Sequence, residues 1–134
     1  MDNLIGEVIE WMREEEEGEK IENAKVDPGG GANLTSTHTQ GPGEDSPPYA
    51  KDLAVMVKVP GAENYITVGY IDPVNEGTAA NGEVRRYARD ADGKQICELW
   101  LKSDGTILIK NDNGYIEMGS DGTMDVNGNL TVRP

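Results

Sequence analysis

Residues 94–134 read KQICELWLKSDGTILIKNDNGYIEMGSDGTMDVNGNLTVRP. Turn-forming pairs punctuate this stretch and the residues just before it, at Asp92-Gly93, Asp104-Gly105, Asn113-Gly114, Asp121-Gly122 and Asn127-Gly128. Asp-Gly and Asn-Gly accept the φ > 0 backbone of tight reversals. Between successive glycines the gaps are 12, 9, 8 and 6 residues. The strands between them therefore shorten, from Lys94–Ser103 down to Leu130–Val132. Side chains alternate with period two, which is the signature of half-buried strands. Cys97, Leu99 and Leu101 share one face, as do Ile107 with Ile109, Ile116 with Met118, Met124 with Val126, and Leu130 with Val132. The opposite face carries Glu98, Lys102, Thr106, Lys110, Glu117, Asp125 and Thr131.

Strands of three to five residues, each with two inward apolar side chains, bury too little to stand alone and leave open edges. Units that cannot cover their own apolar face stack or intertwine. Three identical chains wound about one axis meet both needs. The expected threefold core is Leu99, Leu101, Ile107, Ile109, Ile116, Met118, Met124 and Val126. The expected tip is Leu130, Val132 and Pro134, with Pro134 stopping further pairing because it lacks an N–H.

Composition agrees with a shared core. The chain has 134 residues, 36% of them apolar, and no Phe; a monomer of this make-up has little with which to fill a core of its own. Net charge is −13. Residues 1–81 carry 16 acids and 5 bases, and residues 82–134 carry 9 acids and 7 bases. So acidic a chain is not expected to bind nucleic acid, which needs clustered Lys and Arg on phosphates. No apolar run approaches the ~20 residues of a membrane-spanning helix. The Met1-Asp2-Asn3 start lacks the basic character of a secretory signal, so synthesis in the cytoplasm is expected.

The N-terminal part reads differently. Leu4, Ile5, Val8, Ile9 and Met12 fit a helical stripe and also a strand with Gly6 as a bulge or barrel corner. Glu14 to Gly18 reads as a charged turn and Lys20–Val26 as a strand, so a hairpin is the preferred reading. Residues 27–50, rich in Gly and Pro, are expected to be loop. Asp52–Val59 and Asn64–Ile71 are expected strands joined at Pro60-Gly61. They set Leu53, Val55, Val57 and Val59 on one face, and Ile66, Val68 and Tyr70 on one face. Several short strands with one long loop suit a small barrel of the oligonucleotide/oligosaccharide-binding type. Asp72–Gly82 reads as a linker. The expected organisation is all-β: an OB-like barrel over residues 1–75 and a triple-stranded β-helix over residues 76–134.

This layout, with Gly82-Glu83-Val84-Arg85-Arg86-Tyr87 leading into the Asp-Gly-punctuated strands, resembles the baseplate spike, or cell-puncturing protein, of contractile-tailed bacteriophages. The resemblance covers most of the chain. It implies a non-enzymatic, trimeric structural protein of the virion at the tip of the tail baseplate, seated on a tail tube or baseplate hub protein. Sheath contraction would drive it into the host outer membrane. Many members of that family close the tip with a His-x-His iron site. The single histidine here is His38, inside the expected loop, so that site is not carried over, and no metal or other cofactor is expected.

Other candidate sites read more simply as structure. Glu14–Glu17 is a solvated run of like charge. Asp121-Gly122 and its counterparts lack the spacing of a calcium loop and serve as turns. His38 with Asp45 has no nucleophile arrangement and reads as a surface histidine. Asn33-Leu34-Thr35 and Asn129-Leu130-Thr131 match glycosylation acceptors without a signal peptide to go with them. Gly29-Gly30-Gly31 lacks the Lys-Ser/Thr of a phosphate loop. Trp11 and Trp100 read as packing residues at a barrel or trimer interface, and Cys97 as a small core residue. Two rival classes are a tail-fibre-like receptor or carbohydrate-binding β module, and an OB-fold nucleic-acid binder; a polysaccharide hydrolase is a weaker third.

Overall fold

The computed structural model describes residues 3–131. Among them are ten strands and no helix, and the chain divides into two units, Met1–Pro73 and Val74–Pro134.

The first unit is a closed five-stranded barrel in the order β1-β2-β3-β5-β4. Its strands are β1 (Asn3–Glu16), β2 (Glu19–Asp27), β3 (Leu34–Thr37), β4 (Leu53–Lys58) and β5 (Tyr65–Ile71). The segment at Leu4–Met12 is strand. It runs through the glutamates to Glu16, beyond the expected start of the turn, because Arg13–Glu16 pair with Glu19–Glu22 of β2. Arg13 bonds Glu22 across that pair, Nε to Oε1 at 2.9 Å. Within the expected loop, Leu34–Thr37 forms β3, antiparallel to β2 and parallel to β5. That strand closes the barrel, and it was not expected.

Val8, Ala24, Val26, Ala54 and Met56 fill the interior, with Leu4, Leu34, Tyr65 and Tyr70 packed against them. Ser36 and Thr67 are fully buried and hydrogen-bonded to each other at 2.6 Å. Met56 is the largest of the fully buried side chains. At Gly6 even a Cβ would lie 2.5 Å from the Val26 side chain. Of the alternate residues of β4, Ala54 and Met56 face the interior, and Leu53, Val55 and Val57 stand on the outer side. Ile66, Val68 and Tyr70 do not share a face as expected. A bulge at Val68 keeps Ile66 and Val68 outside and turns Tyr70 inward.

The second unit is an antiparallel five-stranded sheet in sequential order: β6 (Val84–Arg89), β7 (Gln95–Leu101), β8 (Ile107–Asn111), β9 (Gly114–Met118) and β10 (Met124–Asn127). From β7 onward the strands have 7, 5, 5 and 4 residues. Asn75 already belongs to this unit: its side chain donates to the Gly93 carbonyl at 2.9 Å and accepts from the Gln95 N–H at 3.1 Å. Leu130 and Thr131 are not strand. Val132 and Pro134, expected at the tip, lie outside the described residues.

Candidate assembly face

Register decides which side chains share a face. Val84, Leu101, Ile107, Met118 and Met124 are successive cross-strand partners across all five strands. A second row runs Arg86, Leu99, Ile109, Ile116 and Val126. A third, shorter row is Ala88, Cys97, Asn111 and Gly114. The eight residues expected to line a threefold core thus lie in the first two rows, on one side of one sheet. Among the described residues of this unit, nothing buries them. Their exposures run from 39% at Ile107 to 61% at Met124. Val84, 52% exposed, extends the first row and was not among the expected core residues; its signal was alternation within Val84-Arg85-Arg86, weakened by the two arginines. Cys97 is a free, exposed thiol on the same face.

The opposite face is partly covered by its own side chains, on β6, β7 and the start of β8. Leu108 and Thr106 are buried there. Arg85 is held by Glu98 and Gln95 and lies over both Tyr87 and Trp100. Lys102 sits over the Trp100 ring as well, 5.3 Å from its centroid. The Trp100 indole N–H donates to Glu83 at 2.9 Å, and Glu83 also accepts from the backbone N–H groups of Ala80 and Ser103. Those backbone donors hold the Glu83 carboxyl below its usual range. One face is therefore polar and held by its own side-chain bonds over β6 and β7, and the other is apolar and open.

The turns repeat one design. In Lys102–Thr106 and Gly119–Thr123 the first residue donates its N–H to the carbonyl of the fifth, at 2.9 Å in each. The Asp side chain of each accepts from the Thr N–H, at 2.8 Å for Asp104 and 2.9 Å for Asp121. Bonds from Thr106 and Thr123 hold both carboxyls below the usual aspartate range. Gly105 and Gly122 have φ of 90° and 86°, as the pairs predict. The β8–β9 reversal differs. Its tip is Asp112–Asn113, and Gly114 starts the next strand. A Cβ at Gly114 would collide with the Asn127 carbonyl.

In the barrel, His38 is not a surface residue. Its side chain is 2% exposed, because β3 carries it against β5, where Nδ1 lies 2.9 Å from Tyr70 Oη. Its Nε2 is 3.9 Å from Glu22 Oε2 and makes no hydrogen bond. Burial raises the Tyr70 phenol pKa. Asp45 is salt-bridged to Arg13 at 3.3 Å and is not brought to His38. Trp11 is half-buried with Arg13 over its ring at 5.1 Å. Glu14, Glu15 and Glu17 are exposed.

Comparisons with protein-family models, curated proteins and solved structures returned no match to this chain.

Proposed function

We propose that this chain is a non-enzymatic spike at the end of a contractile tail tube, working as a homotrimer that pierces the host outer membrane. The observation that carries the reading is the second unit's bare face: nine apolar side chains on five strands, all 39% exposed or more. A continuous apolar face of that extent on a soluble chain marks an interface. Among the described residues the sheet is open, with β6 and β10 as its outer strands, and an open sheet can be extended by another chain. Winding three copies about one axis covers both features, as a triple-stranded β-helix. The shortening strands then narrow the shaft toward its C-terminal end.

The barrel is the base in this reading. Its strand order, β1-β2-β3-β5-β4 with a parallel β3–β5 contact, supports the OB-type assignment. Its acidic balance suits a seat on a tube or hub protein, while the near-neutral balance of residues 82–134 reduces repulsion by anionic membrane phosphates. A sugar-binding platform is less well supported, because Trp100 and Tyr87 already carry cations over their rings.

Particles whose chain ends after Gly82 test the reading. They should assemble tails but infect poorly. Infection at wild-type efficiency would replace the piercing role by that of a plug at the end of the tube.

A further inference from the structure

The barrel is closed unevenly. Among the described residues its β1–β2 seam carries nine cross-strand pairs, β4–β5 six, β1–β4 five and β2–β3 four, all antiparallel. The β3–β5 seam carries two, Ser36 with Tyr65 and Thr37 with Ile66, and it is parallel. Parallel pairing is slightly less stable per residue. Side chains supply what this short ladder lacks. Ser36 Oγ and Thr67 Oγ1 lie 2.6 Å apart, the Thr39 hydroxyl donates to the Thr67 carbonyl at 2.5 Å, and His38 Nδ1 lies 2.9 Å from Tyr70 Oη. All three bonds run to β5 from β3 or the two residues after it. One member of the set is incompletely satisfied. His38 is buried, yet its Nε2 makes no hydrogen bond and faces Glu22 Oε2 at 3.9 Å. A buried polar atom without a partner costs free energy that is recovered once water reaches it. Parting His38 from Tyr70 therefore offsets some of the loss of the seam bonds.

We infer that the β3–β5 seam is a built-in opening of the barrel, which parts locally while β3 stays paired to β2 and β5 to β4. The distribution of the core selects this seam. Val8, Ala24, Val26, Ala54 and Met56 lie on β1, β2 and β4, and β3 and β5 add Leu34, Tyr65 and Tyr70 at the margin. Parting β3 from β5 leaves the three strands that carry the core joined through β1. Any other seam shares at least one of those strands and has at least twice as many pairs to break. Folded domains open in units set by their least-held parts, at a cost below that of global unfolding. The opened form is a sheet in the order β3-β2-β1-β4-β5, with two strand edges that the closed form lacks. The inference concerns the barrel by itself and does not rest on the proposed trimer.

Hydrogen–deuterium exchange of the full chain, read by mass spectrometry with fragmentation, tests this without altering the protein. The amides of residues 36–39 and 65–67 that face the seam should exchange about 100-fold faster than those of residues 8–13 and 21–26. Urea below the unfolding transition should leave the seam rates nearly unchanged, because a local opening exposes little surface, and should speed the β1–β2 rates. Thr39→Val removes the side-chain bond to the Thr67 carbonyl. It should speed the seam amides further, by about fivefold on the scale of one hydrogen bond, and leave the β1–β2 amides as they were. Seam amides that exchange together with those of β1 and β2, at one rate and with one urea dependence, would show that the barrel opens only as a whole and overturn the inference. A T39V effect spread equally over all five strands would overturn it as well.

Discussion

Placing a carboxylate at Ile109 separates a shared core from a solvent-facing sheet. In the single chain Ile109 is 53% exposed, between Leu99 and Ile116 in the second row. If that face stays in water, Ile109→Asp removes a half-exposed side chain and shifts stability by about 0.5–1 kcal/mol. If three copies close over it, the outcome differs in kind. Full burial of an isoleucine stabilises by about 1.5–3 kcal/mol, so covering the exposed half is worth about 1–1.5 kcal/mol per chain, lost three times. Three carboxylates then enter an apolar seam beside one another, each with a desolvation cost of several kcal/mol that like-charge repulsion increases. The total, on the order of 10 kcal/mol per trimer, corresponds to about seven powers of ten in the assembly constant. Size-exclusion chromatography with light scattering should show I109D near the 14.5 kDa chain mass. Lys110→Asn, one residue along and on the other face, should leave the assembly unchanged. A heat-resistant I109D trimer would refute the assignment of this face to the axis.

Gly122→Val should strain a φ of 86° where nothing lies within 4 Å of the added Cβ, costing on the order of 1–3 kcal/mol per chain. Gly122→Asn should cost much less, and equal melting temperatures for the two variants would contradict the φ argument. Asp104 and Asp121 have lowered folded-state pKa values. Their contribution is therefore complete above the unfolded value of 3.8 and is lost as pH falls through the lower, folded value. The D104N/D121N double variant should lose less melting temperature than wild type between about pH 5 and about pH 2.5; an unchanged difference would exclude the two turns as its source. The Cys97 thiol, exposed in the single chain, should react with a thiol reagent only after denaturation of the assembled protein. Immediate stoichiometric reaction in native buffer would leave the third row open to solvent.

The second unit was largely legible in the sequence because its signals are local. Asp-Gly pairs fixed the turns, and alternation fixed the face within each strand, so register alone was needed to join Leu99, Ile109 and Ile116 into one row. Where a reversal depended on close approach, as at Gly114 under the Asn127 carbonyl, the pair Asn113-Gly114 placed the turn one residue late. The barrel was less legible because its closure is non-local. Leu34–Thr37 has four residues and only one large apolar side chain. It is a strand because β2 and β5 bracket it, which nothing within those four residues announces. His38 is buried for the same reason. Alternation in β4 put Leu53, Val55 and Val57 on one face without saying which face is the core; the interior takes Ala54 and Met56. The apolar row of Leu53, Val55 and Val57 is left on the outer side.

The native mass of the chain at micromolar concentration tests the trimer most directly. Three chains wound about the Leu99–Ile109–Ile116 face give about 43.5 kDa, three times the 14.5 kDa chain, unchanged on dilution. A mass of 14.5 kDa under those conditions would mean that this apolar face stays bare in solution, and the spike reading would fall.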